Sequence, residues 1–111
     1  QWRDLFKKFD AVICPIMPTP AFPHDHLPDQ EQRRIKIDGK LHPYVDQLVW
    51  PGIATLPGLP ATAIPLGLDK DGLPLGAQIV GPWLEDHTPI RFASLIEREF
   101  GGFTPPPMFK D

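Results

Sequence analysis

Sixteen of the 111 residues are proline, and they constrain the fold of this chain more than any other feature of its sequence. Each proline fixes φ and removes a backbone hydrogen-bond donor, which makes it unfavourable in helix interiors and in central strands. We therefore expect few long helices and few long regular strands. The core is expected to consist of short elements joined by many turns.

Composition and charge argue against several classes of protein. Hydrophobic residues make up 41% of the chain and charged residues 23%, which is ordinary for a globular protein and atypical of intrinsic disorder. The net charge of −3 argues against nucleic acid and against an anionic membrane surface as partners. No run of 18 apolar residues is present, so no transmembrane helix is expected. The residues that follow Gln1 do not predict a signal peptide.

Cys14 is the only cysteine, which excludes an internal disulfide and a zinc–cysteine site. Its position in the apolar run Ala11–Cys14 predicts a buried small hydrophobic side chain. A reducing compartment fits such cysteine usage, and we expect a cytoplasmic location.

Apolar spacing and turn residues predict the elements of the first half. Helical spacing of aromatic and apolar residues predicts a short amphipathic helix over Trp2–Phe9, followed by a strand over Ala11–Cys14 that Pro15 stops. Prolines exclude helix between residues 17 and 29, which we expect to form a loop. Polar and apolar residues alternate before Asp38-Gly39, and this pattern predicts a hairpin over residues 34–41. Residues 44–50 have helical character, and Pro51 is expected to end or kink that helix, with one more turn over Ile53–Leu56.

The second half predicts two strands and one longer helix. Strands over Ala61–Leu68 and Leu75–Val80 flank the turn Asp69–Gly72 and should pair antiparallel, with Pro65 marking a bulge or an edge. Asp86 or Thr88 is expected to cap a helix with Pro89 at its first position, and Gly101 and Gly102 should end it. The residues expected to face the core are Ile90, Ala93, Leu95, Ile96 and Phe100. A proline-rich tail follows over Phe103–Asp111.

These elements predict a mixed α/β fold with three core strands, an excursion hairpin and two clear helices. So few elements could hardly cover both faces of a sheet, and units of this size are marginal. We therefore expect exposed apolar surface, and self-association through it.

Residues that could carry chemistry are few. Ser94 is the only serine and lies inside the last predicted helix, without a nucleophile-elbow pattern, so we expect it to have no catalytic duty. His24-Asp25-His26 is the only cluster of metal-ligand types, and a solvated loop is the preferred interpretation. Asp69–Gly72 resembles the start of a calcium loop but lacks the remaining ligands. We predict no catalytic residue, no metal site and no cofactor in this chain.

One region resembles a known family. The run Pro57–Gly67, followed by Asp71–Pro82, is similar to the C-terminal block of the amidase signature family, which reads Gly-Leu-Pro-Ala, an apolar strand, a turn, and Gly-Leu-Pro-x-Gly-x-Gln before a Gly-Pro. The segment Phe9–Pro15 resembles that family's aromatic-aspartate, apolar strand and proline. Nearly the whole chain follows the family order. Residues 1–111 are therefore identified as a C-terminal fragment of an amidase signature domain, a mixed sheet wrapped by helices.

The resemblance also implies a function. Members of this family hydrolyse amides through an acyl-enzyme, using a nucleophilic serine, a second serine and a lysine. This set belongs to a glycine- and serine-rich stretch well upstream, so the implied partners are the remaining N-terminal part of the amidase and a small amide substrate. Leu66, Gly67 and Trp83 are the implied pocket-wall residues. Gln78, amid apolar residues on a strand, is expected to bond to backbone.

Two further points stay open. Many family members carry Asn where this chain has Thr55, which weakens assignment to the family's enzymes that amidate misacylated transfer RNA. The alternative to an amidase fragment is a non-catalytic binding module that presents residues 104–107, Thr-Pro-Pro-Pro, as a polyproline ligand.

Overall fold

A three-stranded antiparallel sheet forms the centre of the molecule. The computed structural model describes residues 1–109. The sheet has the order β1-β5-β4, with β1 over Val12–Pro15, β4 over Ala61–Leu68 and β5 over Pro74–Val80. Because β5 has a neighbour on each side, its last four residues are buried. Val80 pairs with Val12 on one side and with Ala61 on the other. The predicted strands are confirmed, and β1 includes Pro15.

Strand β4 carries the irregularity that its proline predicts. Within residues 1–109 it pairs only with β5, and its register shifts between Pro65 and Gly67. Gly67 has a φ of 104°, a conformation that residues with a Cβ rarely adopt. Pro65 has no N–H to donate, which an edge strand tolerates. Both parts of the prediction, a bulge and an edge position, are confirmed.

Two predicted turns are confirmed with their backbone geometry. Between β4 and β5, the Asp69 Oδ1 accepts hydrogen bonds from the amides of Asp71 and Leu73, both at 2.8 Å. A separate two-stranded sheet joins β2, Arg34–Ile37, to β3, Lys40–Pro43. Its two-residue turn has φ values of 48° at Asp38 and 79° at Gly39, as a type I′ turn requires.

The helices are α1 over Trp2–Leu5, α2 over Val49–Thr55 and α3 over His87–Phe100. Short 3₁₀ helices occupy Gln30–Gln32, Tyr44–Leu48 and Pro107–Phe109. The predicted first helix is therefore a single turn. Residues 17–29 form the predicted loop, and the tail is irregular up to its 3₁₀ turn, with residues 110 and 111 outside the described part. Among the described residues, no helix combines the length and apolarity needed to cross a bilayer.

The expectation for Pro51 is wrong. Pro51 is the third residue of α2, which continues to Thr55, and the preceding 3₁₀ helix ends at Leu48. A proline in the first turn of a helix costs little, because the first amides of a helix have no intrahelical acceptor. The chain thus changes from 3₁₀ to α geometry just before the proline.

The start of α3 also differs from the prediction. The helix begins at His87, so Pro89 is its third residue, and Asp86 stands at the N-cap without a side-chain hydrogen bond to the helix. The Thr88 hydroxyl donates to the Glu85 carboxylate at 3.1 Å instead of capping. Gly101, with a φ of 90°, ends the helix as predicted.

The core lies between α3 and the sheet. Ile64, Ala77 and Ile79 are its buried centre, and Ala11, Phe92, Ala93 and Ile96 pack against it. Of the residues expected to face the core, Ala93 and Ile96 do. Ile90, Leu95 and Phe100 do not, with exposed fractions of 52%, 43% and 82%. Only one side of α3 meets the sheet, and the apolar side chains on its other sides are only partly covered within residues 1–109.

Candidate functional site: an apolar cavity beside the sheet

A cavity of about 630 Å³ lies where β1 runs into the following loop. Its lining includes Ile13, Cys14, Met17, Phe22, Leu66 and Gly76. The loop from Ile16 to Phe22 contains Pro18 and Pro20, so it is held away from helix and sheet and curves over the start of β5. A mostly apolar concavity of this volume matches the small-molecule sites of proteins.

Gly76 lets the loop approach β5 closely. A Cβ at this position would lie 3.1 Å from the Ile16 Cδ1 and 3.2 Å from the Ile64 carbonyl oxygen. Both distances are tighter than ordinary van der Waals contact, so a larger residue would push the loop outward and widen the cavity. Gly76, Met17 and Phe22 were not among the predicted site residues. The proline-bracketed loop directly after a buried strand is the sequence feature that could have indicated them.

Gln78 fixes the strand end next to the cavity. Its side chain belongs to a residue that is 6% exposed, and its Nε2 donates to the Pro15 carbonyl at 3.1 Å and to the Trp50 carbonyl at 2.8 Å. The predicted bonding of this amide to backbone is confirmed. One side chain thereby ties the end of β1 to the start of α2.

Cys14 gives the cavity lining an uncharged side chain. The residue is half-buried rather than fully buried, and it is one of the residues that line the cavity. Burial raises the pKa of the Cys14 thiol, and a hydrogen bond with Gln78 opposes this in part. The thiol is therefore protonated near neutral pH, which suits an apolar surface and not a nucleophile.

The three predicted pocket residues do not lie together. Leu66 lines the cavity and is 61% exposed. Gly67 follows it at the bulge of β4. Trp83, which is 63% exposed, lines a different cavity between α1 and the loop that precedes α3. The separation arises because β5 runs away from the first cavity before the chain reaches Trp83.

The other candidate groups are engaged locally. The Ser94 hydroxyl donates to the Ile90 carbonyl at 3.2 Å, the usual back-bond of a serine within a helix. The rings of His24 and His26 meet edge to face at 5.7 Å, and the Asp25 carboxylate accepts from the Leu27 amide. Within residues 1–109, no group of three or more His, Cys, Asp or Glu residues is arranged to hold a metal ion.

These features define a class of protein segment: a mixed α/β unit that lines an apolar cavity and whose single serine is bonded within a helix. The chain belongs to the amidase family, whose model matches residues 1–89. The family resemblance read from Pro57–Pro82 and Phe9–Pro15 is confirmed.

Similar proteins support the same membership. A subunit of the glutamyl-tRNA(Gln) amidotransferase of Maricaulis maris is 38% identical over 100 residues, which are 90% of this chain and 18% of that protein. A fatty acid amide hydrolase of Medicago truncatula is 38% identical over 103 residues, 90% of this chain and 16% of that protein. The chain therefore spans less than a fifth of the length of these relatives. The amidotransferase subunit and the amide hydrolase are equally identical to the chain. The comparison therefore does not test the expectation drawn from Thr55, which stays a prediction.

The fold also matches a solved structure. The crystal structure of the corresponding glutamyl-tRNA(Gln) amidotransferase subunit from Thermotoga maritima superposes with a TM-score of 0.71 and 26% identity, covering 99% of this chain and 23% of that one. The mixed α/β arrangement of the amidase signature fold is thus confirmed for nearly all of the chain.

Proposed function

We propose that this chain furnishes scaffold and one wall of the acyl pocket in an enzyme that hydrolyses amide C–N bonds. The observation that carries the proposal is the apolar cavity beside β1, found in a member of the amidase family. The similarity to a protein named as an amide hydrolase supports the same reaction class. The proposed substrate is a small-molecule amide, and the reaction needs neither metal nor cofactor.

The proposed reaction places the bond-breaking groups outside this chain. A serine oxygen attacks the amide carbonyl, its proton passes through the second serine and the lysine to the leaving amine, and the C–N bond breaks. Water then attacks the acyl-enzyme and releases the acid. The described residues contribute an apolar surface that excludes water from the acyl group, with Leu66 at one side and the neutral Cys14 at another.

The three pocket candidates take different places in this proposal. Leu66 is the direct wall residue, because it lines the cavity. Gly67 permits the bulge of β4 that follows Leu66. Trp83 receives less support as a wall of the same pocket, because the cavity it lines is a separate one.

Replacing Leu66 with a larger residue tests whether its side chain forms a wall of the acyl pocket. In the polypeptide that joins this chain to the Ser-Ser-Lys part, Leu66→Trp should fill the cavity and lower kcat/KM for long-chain acyl amides about tenfold, with acetamide hydrolysis little changed. Ammonia release over a series of acyl lengths measures the effect. Leu68→Trp is the matched control, because Leu68 is 68% exposed on the same strand and does not line the cavity. Equal loss for short and long substrates, or equal effects of both variants, would contradict the wall.

The 111-residue chain alone tests the location of the reaction centre. We expect no amide hydrolysis above background, with no change in Ser94→Ala, because the Ser94 hydroxyl is committed to the Ile90 carbonyl. Turnover by this chain that Ser94→Ala abolishes would overturn the proposal that the catalytic set lies elsewhere.

Two further parts of the proposal concern the cell. The remaining part of the amidase domain is the proposed partner of the exposed apolar side of α3. A cytoplasmic location is proposed on the single free cysteine, which a reducing compartment accommodates. Fractionation of cells that express the tagged polypeptide should recover it with cytoplasmic markers, and recovery with a secreted or membrane fraction would contradict this.

A further inference from the structure

A second cavity, of about 500 Å³, lies on the side of the molecule where α1, the loop after α2 and the loop before α3 meet. Two of the chain's three tryptophans line it, Trp2 and Trp83, together with Phe6. The rings of Trp2, in α1, and Phe6, the residue that follows α1, stack at 5.9 Å with an interplanar angle of 22° and so form one aromatic surface. We call this cavity the tryptophan cleft.

Charged groups of the cleft are predominantly acidic. Asp10 and Glu85 line it alongside a single cation, Arg3. None of these three takes part in an ion pair between side chains within residues 1–109, where such pairs are Lys7–Asp4, His42–Asp46 and Lys70–Asp71. The Glu85 carboxylate is held in place by the Thr88 hydroxyl at 3.1 Å. The cleft therefore combines aromatic rings with one unit of excess negative charge.

The backbone beside the cleft is strained. Leu84 lies between two cleft residues, Trp83 and Glu85, and has a φ of 63°. A left-handed conformation at a residue with a branched side chain costs about 1–2 kcal/mol. Trp83 and Leu84 also remain 63% and 71% exposed. The loop thus keeps a large aromatic side chain at the mouth of the cleft, in an arrangement that local preference does not favour.

We propose that the tryptophan cleft binds a small ligand that carries an ammonium or quaternary ammonium group. Indole and phenyl faces attract cations, and aromatic surfaces combined with carboxylates are the chemistry that recognises methylated ammonium groups. Asp10 and Glu85 supply the countercharge, while Trp2 and Trp83 supply the faces. This site is separate from the cavity beside β1, and the inference does not depend on the proposed amide hydrolysis.

Choline and 3,3-dimethylbutan-1-ol test the inference, because they share a shape and differ in charge. Intrinsic tryptophan fluorescence of the 111-residue chain should change saturably with choline chloride, at constant ionic strength maintained with sodium chloride. Choline should bind at least about tenfold more tightly than the neutral alcohol. Equal binding of the two probes, tighter binding of acetate than of choline, or no saturable binding of choline would each overturn the inference.

Two variants locate the binding. Trp83→Leu should weaken choline binding about fivefold or more, followed by the trimethylammonium signal in saturation-transfer NMR. Glu85→Gln should weaken it as well, while Glu99→Gln, which removes the same charge from an exposed position of α3 outside the cleft, should not. Far-ultraviolet circular dichroism confirms that each variant keeps the fold. Equal binding by the parent chain, Trp83→Leu and Glu85→Gln would place the site elsewhere and overturn the inference.

Discussion

At the scale of single residues, one buried amide organises the surroundings of the first cavity. Gln78 is the only polar residue in the buried set of residues 1–109, and its two donors reach carbonyls that are far apart in sequence, at Pro15 and Trp50. A buried polar group stabilises a fold only when its partners are present, and its loss leaves those partners unsatisfied. Gln78 therefore matters more than its single side chain suggests.

Gln78→Leu tests this role. We expect the free energy of unfolding to fall by about 2–3 kcal/mol, because two hydrogen bonds are lost and the Pro15 and Trp50 carbonyls lose their donor. Urea denaturation measures the change. Gln30→Leu is the matched control, since Gln30 is exposed and should shift stability by less than about 0.5 kcal/mol. Equal stability of the two variants would show that the Gln78 bonds are dispensable.

Cys14 gives a residue-scale prediction on pH. Because burial raises the pKa of its thiol, the folded chain holds less thiolate at pH 8 than a free cysteine does. Alkylation by iodoacetamide at pH 8 should therefore be slower than that of N-acetylcysteine, and should approach the free rate in concentrated urea. Mass spectrometry follows the adduct. An alkylation rate of the folded chain equal to or above that of N-acetylcysteine would contradict the raised pKa of the Cys14 thiol.

Residue-scale features were predicted unequally by the sequence. The type of partner that Gln78 takes follows from its apolar neighbours on a strand, since a buried amide needs acceptors. Which carbonyls those are depends on how β1 and α2 pack, and no local pattern encodes that. The same reason separates Leu66 from Trp83. Both have the chemistry of a pocket wall, but only the path of the sheet decides which cavity each side chain lines.

At the scale of elements, the sequence predicted the turns correctly but did not predict which side of α3 faces the sheet. Asp38-Gly39 and Asp69–Gly72 specify their turns through residues that accept unusual φ values or bond to nearby amides. The exposed side of α3 was misjudged because its apolar residues recur on more than one side of the helix. Ile90 and Phe92 are equally apolar by type, and only contact with the sheet distinguishes them.

The turn between β4 and β5 provides an element-scale prediction. Asp69→Ala removes the acceptor for two backbone amides and should destabilise the hairpin by about 1–2 kcal/mol. Asp71→Ala, two residues along, loses only an exposed pairing with Lys70 and should change stability by less than about 0.5 kcal/mol. Thermal unfolding of both variants makes the comparison. If Asp71→Ala were the more damaging, the Asp69 carboxylate would not be closing the turn.

At the scale of the whole molecule, the chain is flat and incompletely covered. Its radius of gyration is 16.3 Å, with extents of 43 × 42 × 22 Å, whereas a compact domain of this length has a radius of about 13 Å. Among residues 1–109, eighteen large apolar side chains are exposed, against six apolar residues in the buried core. The expected exposure of apolar surface is thus present in the described residues.

This shape predicts self-association of the isolated chain. Exposed apolar surface on this scale favours contact between copies and the binding of apolar dyes. Sedimentation velocity over a range of concentrations should show species larger than the monomer, and 8-anilinonaphthalene-1-sulfonate should fluoresce in its presence. A monomer at all concentrations, with no dye signal, would contradict the prediction.

The strand order also predicts the order in which the three strands pair during folding. Val12 pairs with Val80, so β1 finds its neighbour only after more than half of the chain has been made, whereas β4 and β5 are joined by a short turn. Closing a short loop costs less entropy than closing a long one. We expect β4 and β5 to meet first and β1 to arrive last, so that a ribosome releasing this segment holds an unpaired strand until Val80 has emerged.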